Sequence, residues 1–266
     1  MTEVAMNRHE RLSGLLELLG ERGRVDVDEL ADELTVSAAT IRRDLDHLAE
    51  QQLLTRTRGG AVVNNVSYDL PLRYKSGRRA PEKSKIGQTA AALVGAGDVI
   101  GLNGGTTTTE VARAVATRGD LARPSDGPTL TVVTNALNIA NELAVRQHIK
   151  LVVTGGVARP QSFELTGPLA TKVLSDITLD VLFLGVDAID ADSGAYAHHE
   201  GEASINALMV ERAQRVVVVA DSSKLGCRAF ARICAIPRIH ALVTDSDASD
   251  AVLAGFRSVG LAVHQD

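Results

Sequence analysis

The alternation of short apolar runs with helical patterns from about Asp98 onward is the feature that most constrains the fold. The apolar runs are rich in valine and leucine on both faces, and helical stretches follow several of them. Such runs are typical of a mostly parallel, Rossmann-like α/β sheet that is covered on two sides. The predicted strands are Val99–Leu102, Leu130–Thr134, Leu151–Thr154, Val181–Val186, Val216–Ala220 and Ala241–Thr244. The predicted helices are Thr107–Ala116, Ala136–Val145, Ala203–Ala213 and Ala248–Phe256.

The first predicted strand runs into a glycine–threonine turn, which we define as Gly104, Gly105, Thr106 and Thr107. Glycines let backbone N–H groups close on an anion, threonine hydroxyls add donors, and a helix that begins there adds the positive end of its dipole. A plain strand-to-helix turn would also favour glycine, but a run of four threonines is a poor start for a helix. We therefore expect this turn to bind a phosphate.

Small and polar residues recur where the other predicted strands end. Ligands of parallel sheets usually bind at the carboxyl ends of the strands, so these residues are expected to converge there. Each charged side chain taken alone is more typical of a solvated surface, although a lysine offers a compact countercharge for a phosphate. The predicted ligand contacts are Gly104, Gly105, Thr106, Thr107, Asn135, Gly155, Gly156, Asp187, Glu202 and Lys224.

Three helical patterns and a ribbon occupy the first 63 residues, and a short helix, a tight turn, a longer helix and a glycine-pair hairpin in that order favour a DNA-binding unit. The predicted elements are a helix over Arg8–Leu19 ended by Gly20 and Gly23, a two-turn helix after Asp26 with a capping box to Glu29, a helix over Ala38–Gln51 capped by Ser37, and a ribbon over Leu53–Val63 that turns at Gly59 and Gly60.

Small residues and two arginines at the start of the third helix suit insertion into a DNA major groove, because the backbone can approach closely and arginine can reach guanine or phosphate. Arginines of the ribbon would project toward the phosphates beside the groove. The alternative is a small helical bundle with a solvent-exposed arginine pair. The predicted DNA contacts are Ser37, Ala39, Thr40, Arg42, Arg43, Arg56, Arg58 and Gly59.

The charge distribution supports this division of the chain. The net charge of -5 argues against a generally basic nucleic-acid coat protein. Between Leu54 and Ile86, however, there are eight lysines and arginines and only two acidic residues. We predict a DNA-binding domain over residues 1–63, a linker over 64–81 and an α/β ligand-binding domain over 82–266.

Several classes of protein are excluded or disfavoured. No apolar run approaches the roughly 18–20 residues that cross a bilayer. Two cysteines, Cys227 and Cys234, cannot form a disulfide framework or a four-ligand zinc site, so a cytoplasmic location is expected. There is no dinucleotide fingerprint and no Walker A motif, and His198-His199-Glu200 lacks further ligands at a metal-binding spacing. No cofactor or metal is predicted.

Two strings of residues resemble the DeoR family of bacterial transcription regulators. Ser37-Ala38-Ala39-Thr40-Ile41-Arg42-Arg43-Asp44-Leu45, followed by Arg56-Thr57-Arg58-Gly59-Gly60-Ala61, is similar to the family's winged helix-turn-helix, with Arg58 where histidine is frequent. The predicted ligand contacts, including the Asp-Ser-Ser-Lys string that ends at Lys224, resemble the family's effector domain. Ala188 and Asn206 depart from its pattern.

The resemblance implies a second domain similar in fold to ribose-5-phosphate isomerase that senses a phosphorylated sugar or polyol. It implies a repressor of a carbohydrate or polyol catabolic operon, with operator DNA and the phosphorylated sugar as partners. A homo-oligomer, either a dimer or a tetramer, is expected because one short helix reads few base pairs and paired half-sites multiply specificity.

The alternative function is an active sugar-phosphate isomerase with an accessory DNA-binding domain. Isomerisation needs a carboxylate base and an electrophilic group. Asp187, Asp190 and Glu202 could supply the carboxylate, but no lysine lies between Lys172 and Lys224, where the isomerase family uses one. A purely structural interaction protein would not need the glycine–threonine turn. The sequence therefore favours a regulator without enzymatic activity.

Overall fold

The computed structural model describes residues 7–63, 71–122 and 127–266. These residues form two compact units, one that ends at Arg78 and one that begins at Arg79. The division falls inside the predicted linker over 64–81, of which 64–70 lie outside the described residues. Within the described ranges, every helix is too short or too polar to span a lipid bilayer.

The first unit contains four helices and a three-stranded antiparallel sheet among its described residues, in the order β1-β3-β2. The element bounds are α1 Arg8–Arg22, β1 Arg24–Asp26, α2 Val27–Glu33, α3 Ala38–Glu50, β2 Leu54–Arg56, β3 Gly60–Val63 and α4 Leu72–Lys75.

The core of this unit is the apolar stripe of α1 packed against those of α2 and α3. Leu15, Leu30 and Leu45 are fully buried, and Tyr74 of α4 packs against the same core. The prediction that α1 ends at Leu19 was wrong. The helix continues to Arg22 and ends at Gly23, whose φ of 71° is the left-handed conformation that glycine adopts without strain.

The ribbon turns at the predicted glycine pair, but it gains a third strand, β1, that the sequence analysis missed. A Cβ on Gly60 would lie 1.8 Å from the carbonyl oxygen of Val25 in β1, so this backbone contact requires glycine. Asp26 caps α2 as predicted, although its side chain accepts from the N–H of Asp28 and not from that of Glu29.

A buried ion pair joins α1 to α3. Nε of Arg11 lies 2.6 Å from Oδ2 of Asp44, and the two side chains are only 12% and 4% exposed. Arg8 adds a second, more exposed contact to the same carboxylate. Asp44 therefore holds α3 against α1 and is turned away from the exposed face of α3.

Replacing Asp44 with alanine is expected to lower the free energy of unfolding of the first unit by about 3–5 kcal/mol, because Arg11 would be left buried and uncompensated. Denaturant titration followed by circular dichroism measures this loss. Asp46→Ala is the matched control, since Asp46 is 60% exposed in its pair with Arg56 and should cost less than about 1 kcal/mol. Equal losses from both substitutions would contradict the role given to Asp44.

Among its described residues, the second unit is built on seven parallel strands in the order β15-β14-β12-β9-β4-β5-β6. Its helices are α5 Ala80–Ala91, α6 Thr106–Thr117, α7 Leu137–Leu143, α8 Pro168–Leu174, α9 Glu200–Arg212 and α10 Asp250–Ser258, with 3₁₀ turns at Ser222–Lys224 and Ile236–Arg238. Its strands are β4 Val99–Leu102, β5 Leu130–Thr134, β6 Ile149–Val153, β7 Val157–Ala158, β8 Leu165–Thr166, β9 Leu179–Gly185, β10 Ala188–Asp190, β11 Gly194–Ala197, β12 Ala213–Val219, β13 Ala231–Cys234, β14 Ala241–Thr244 and β15 Ala262–Gln265.

Alternate residues of the central strands face two separate cores, as the apolar runs predicted. In β9, Leu182 and Leu184 pack in one core, whereas Val181 and Phe183 pack in the other. Strands β4, β5 and β14 have the predicted bounds, and the other three predicted strands are shifted by one to three residues. The sequence analysis missed α5, α8 and β15, the antiparallel sheet β10-β11-β13 and the hairpin β7-β8.

Candidate functional sites

The predicted DNA contacts lie at the start of α3 and in the ribbon. The Oγ of Ser37 accepts from the backbone N–H of Thr40 at 3.2 Å and the two hydroxyls lie 2.9 Å apart, so both residues fix the helix start as the cap prediction requires. Ala39, Arg42 and Arg43 are exposed on the following turn. The two arginines therefore project from a small-residue surface whose helix start is rigidly capped.

The arginines of this surface fall into two groups. Among the described residues, Arg42, Arg43 and Arg58 have no ion pair or side-chain hydrogen bond. Arg56 instead donates from Nε to Asp46 at 2.7 Å and from Nη1 to the carbonyl of Gly60. Arg56 thus bonds within the unit and links the ribbon to α3. The guanidinium groups of Arg42, Arg43 and Arg58 face solvent.

Gly59, the remaining predicted DNA contact, is exposed at the tip of the ribbon. Its carbonyl accepts from the N–H of Val27 at 2.8 Å, and a Cβ placed on it would lie 3.0 Å from Oδ2 of Asp26. Glycine at this position therefore serves the packing of the ribbon onto α2 and also leaves the tip small.

The glycine–threonine turn connects β4 to α6 and leaves the helix start without a side-chain cap. The hydroxyls of Thr108 and Thr109 bond to the carbonyl of Gly105 within the first turn. Gly105 has φ 134°, which a residue with a side chain rarely adopts. The Oγ1 of Thr107 is buried and has no hydrogen-bond partner among the described residues. An uncapped helix start of this kind leaves first-turn N–H groups available, and such groups are a common place for anions to bind.

Hydrogen bonds also join the ends of the strands beside this turn. Asn103 donates from Nδ2 to the carbonyl of Gly185 at 2.9 Å and accepts from the N–H of Gly185 at 2.7 Å, which joins the ends of β4 and β9. Asn135, at the end of β5, is fully buried, and within the part of the chain that the structure describes its Oδ1 has no hydrogen-bond partner. Three adjacent strands therefore deliver polar groups to one edge of the sheet.

The structure adds a residue that the sequence analysis missed, Glu164. Its Oε2 accepts from Nδ2 of Asn135 at 3.0 Å, and a Cβ on Gly104 would lie 2.3 Å from its Cγ. The backbone places it there, because the N–H of Leu165 bonds to the carbonyl of Asn135 and Phe163 takes φ 60°, a strained conformation for this residue. The only sequence signal for Glu164 is a single acidic residue between two apolar ones.

Glu164, Asp187 and Glu202, together with Arg159, form what we call the acidic cluster. Burial raises the pKa of Glu164 to about 8, and repulsion from Glu202 and then Asp187 adds to this rise against the hydrogen bond from Asn135. Nη1 of Arg159 lies 2.9 Å from Oε1 of Glu202, and both side chains are largely buried. The predicted residues Asp187 and Glu202 are thus brought together with Asn135 and Gly104 through Glu164.

Lys224 lies beside the end of β9. Its Nζ donates to the carbonyl of Val186 at 2.6 Å, next in the chain to Asp187. The neighbouring Asp221 is buried, which by itself raises the pKa of its carboxyl, but Lys224, a hydrogen bond from Ser223 and the charge of Lys83 outweigh burial and leave that pKa below its usual value.

Gly155 and Gly156 follow β6 with φ of 69° and 126°. A Cβ on Gly156 would lie 2.7 Å from the carbonyl oxygen of Thr166, so this glycine serves the β7-β8 hairpin that carries Glu164. In the described part of the chain, no backbone hydrogen bond joins these two glycines to the glycine–threonine turn.

The hydrogen bonds of His198 and His199 are structural. Nδ1 of His199 accepts from the N–H of Gly201 at 3.1 Å and caps α9, and the N–H of His198 donates to Asp187. No group of three histidine, cysteine or acidic side chains among the described residues is placed to hold a metal ion.

Replacing Glu164 with glutamine is expected to raise the melting temperature of the protein at neutral and alkaline pH. The folded protein holds the Glu164 proton up to about pH 8, whereas the unfolded chain releases it near the ordinary pKa of 4.5. The free energy of unfolding therefore falls as the pH rises from about 4.5 to about 8. Glutamine stays neutral, so the gain should be absent at about pH 4 and largest at and above about pH 8.

Differential scanning calorimetry from about pH 4 to about pH 9 measures this difference. Glu211→Gln, at an exposed position of α9, should not show the same pH dependence. A constant difference between wild type and Glu164→Gln over the whole range would contradict a raised pKa at Glu164.

Comparison with known proteins identifies the family. The DeoR-like helix-turn-helix domain matches residues 11–67, and the DeoR C terminal sensor domain matches residues 78–246. The chain is 34% identical over 257 residues to a putative aga operon transcriptional repressor of Escherichia coli O157:H7, covering 96% of this chain and 92% of that protein. It is 31% identical over 241 residues to the glycerol-3-phosphate regulon repressor of Escherichia coli K12, covering 91% and 92%.

Among solved structures, ribose 5-phosphate isomerase A of Methanocaldococcus jannaschii overlaps 53% of this chain and 52% of its own, with a TM-score of 0.39 and 22% identity. The two domain matches confirm the predicted helix-turn-helix followed by an α/β sensor domain. The regulator relatives, which match nearly the whole chain, confirm a DNA-binding regulator and not an isomerase. The chain belongs to the DeoR family of transcriptional regulators.

Proposed function

We propose that this regulator represses an operon for carbohydrate or polyol use in the cytoplasm, and that a phosphorylated sugar bound at the strand ends of the second unit controls its binding to operator DNA. The observation that carries the proposal is that one chain contains both features. The start of α3 is capped and bears solvent-facing arginines, and α6 starts without a side-chain cap at the edge of the parallel sheet. The relatives named for the aga operon and the glycerol-3-phosphate regulon support this class of target.

In this proposal the start of α3 reads bases. Thr40, Arg42 and Arg43 enter the major groove, where the small side chain of Ala39 allows close approach. Arg58 contacts a phosphate from the tip of the ribbon. Arg56 adds positive charge but acts mainly as a positioning residue, because Asp46 and the Gly60 carbonyl already occupy its guanidinium group.

The effector's phosphate is proposed to bind the glycine–threonine turn. The first-turn N–H groups of α6 and the unpartnered hydroxyl of Thr107 would donate to it, with Lys224 as the nearby cation. Asn135, Asp187 and Glu202 would contact the hydroxylated end of the ligand. Bound effector shifts the regulator between two arrangements only if it binds them unequally.

A symmetric oligomer is part of the same proposal. A single short recognition helix contacts few base pairs, so two copies related by a two-fold axis and bound to paired half-sites would supply the specificity of an operator. Sedimentation velocity of the protein with and without operator DNA gives the number of chains, and one chain on one half-site would contradict this part.

Replacing Arg43 with alanine should weaken binding to the operator by about 1–3 kcal/mol while changing binding to random DNA much less, because Arg43 is proposed to read a base. Arg58→Ala should weaken both equally and lower the slope of log K against log salt by about one. Fluorescence anisotropy at several salt concentrations measures both effects.

Arg257→Ala, at an exposed position of α10, is the matched control for the loss of one positive charge. It should leave affinity for both DNAs unchanged. An equal loss on operator and random DNA from Arg43→Ala would reassign that residue to a phosphate contact.

Replacing Gly104 with alanine should abolish the effector response while leaving operator binding intact. The added Cβ would lie 2.3 Å from Cγ of Glu164 and force that side chain to move within the site. Gly119→Ala is the matched control, since its Cβ would meet nothing within 4 Å. Operator release titrated with a panel of sugar phosphates measures the response, and loss of operator binding in a folded Gly104→Ala protein would contradict separate sites.

A further inference from the structure

We propose that a second copy of this chain binds to an apolar surface formed by the segment from β6 to α8 and the start of α7. We call this surface the apolar patch. The inference rests on the proposed function, because it assigns a surface to the symmetric oligomer that is part of it. The members of the patch are Leu137, Val153, Val157, Phe163, Leu169 and Val173.

The patch holds most of the exposed large apolar side chains in the described residues. There are nine such side chains, and six of them belong to the patch. Val157 and Leu169 are the most exposed of the six, at 68% and 65%. Single exposed apolar residues are ordinary on a protein surface, whereas a contiguous group of them marks a binding surface. The patch is therefore a candidate surface if its members lie together.

Backbone pairing brings the strand and loop members of the patch together. The N–H of Leu137 donates to the carbonyl of Phe163 at 3.0 Å, which joins the start of α7 to the β7-β8 hairpin. Within that hairpin Val157 pairs with Thr166. Val153 ends β6, and only three residues separate it from β7. These four apolar side chains therefore belong to one continuous region at the end of β6.

Helix α8 supplies the other two members. Leu169 and Val173 are four residues apart and lie on the same face of the helix, whereas Ala170 and Leu174 are fully buried in the core on the other side. A Cβ on Gly156, next to β7, would lie 3.2 Å from the Cβ of Ala170. The helix is thus packed beside the hairpin and turns an apolar face outward.

The same stretch of chain exposes little charge. Among residues 153–173 the charged side chains are those of Arg159, Glu164 and Lys172. Arg159 is paired with Glu202 and Glu164 is buried, so Lys172 is the one exposed charged side chain of this stretch. Depletion of charge is what distinguishes the core of a protein–protein interface from the rest of a surface.

Low charge favours a second copy of the same chain as the partner. In a two-fold interface the same surface meets itself, so an exposed charge near its centre would face a like charge. An apolar patch avoids this repulsion and is complementary to itself. Strand β6 is also the last strand on one side of the seven-stranded sheet, and native proteins cover or charge such edges. One symmetric contact would cover this region in both copies.

The hairpin that contributes to the patch also forms part of the acidic cluster. Val157 and Phe163 are exposed, whereas Glu164 is buried and Arg159 is nearly so. A second copy bound to the patch would contact this hairpin from outside, and an effector at the acidic cluster would contact it from inside. The proposed oligomer contact and the proposed effector site therefore share one segment of the chain.

Sedimentation velocity of the full chain over a range of concentrations tests the proposal. The wild-type protein should sediment as an oligomer. Val157→Lys and Leu169→Lys should each raise the dissociation constant of the oligomer about tenfold or more, because each removes apolar burial and adds a positive charge in both copies. Lysine is common on strand edges and is a good helix former, so both variants should fold, and far-UV circular dichroism checks this.

Phe230→Lys is the matched control, because Phe230 is 80% exposed and lies outside the patch. It should leave the dissociation constant unchanged. Raising the salt concentration from about 0.1 M to about 1 M should partly restore association of the Val157→Lys and Leu169→Lys proteins, because salt screens the repulsion between the added charges. A loss of association caused by misfolding would not respond to salt in this way.

The outcomes separate this inference from the proposed function. An unchanged dissociation constant in folded Val157→Lys and Leu169→Lys proteins, or an equal loss in Phe230→Lys, overturns the patch as the contact surface and leaves the symmetric oligomer in place. A wild-type protein that sediments as a single chain at every concentration overturns both the patch and the oligomer. Operator binding and the effector response are measured separately and do not depend on either result.

Discussion

Parallel pairing of β4 with β5 on one side and with β9 on the other is the constraint on which the candidate effector site depends. Parallel strands end at the same edge of a sheet, so the residues that follow them are forced into one region whatever their separation in sequence. Asn103, Asn135 and Asp187 follow these three strands, and the paired hydrogen bonds between Asn103 and Gly185 fix the edge. Because both faces of the sheet are covered by apolar cores, the polar groups of the edge are the part of the sheet open to specific chemistry.

Buried ionisable groups determine the charge and the hydrogen-bonding capacity of this edge. Three carboxyl groups and one guanidinium group are held in the acidic cluster, and taking ionised groups out of water is costly unless they are paired or protonated. Glu202 is paired with Arg159, and Glu164 is kept neutral up to about pH 8. In the described part of the chain, the same edge also leaves Oδ1 of Asn135 and Oγ1 of Thr107 buried without hydrogen bonds, which is why it is the candidate site for a polar ligand.

The charged residues of the first unit fall into those that form ion pairs within it and those that face solvent. Asp44 and Arg11 form a buried pair that holds α3 in place, and Arg56 is bonded to Asp46 and to the ribbon. Arg42, Arg43 and Arg58 remain available at the surface, as far as the described residues show. Charged residues that are neighbours in the sequence of α3 thus have different roles, because helix periodicity turns Asp44 toward α1 and Arg42 and Arg43 toward solvent.

The sequence by itself determined the elements whose signals are local. Apolar periodicity and Ser37 predicted α3 and its cap, the valine-rich runs predicted β4, β5 and β14 with their bounds, and the glycines predicted the turn before α6. Tertiary structure alone decided which distant residues meet. Glu164 joins the site because the Phe163–Leu165 backbone pairs with the segment after β5, and β1 joins the ribbon because Gly60 lets two backbones touch. Such contacts depend on chain segments far apart in sequence, and no local periodicity or propensity encodes them.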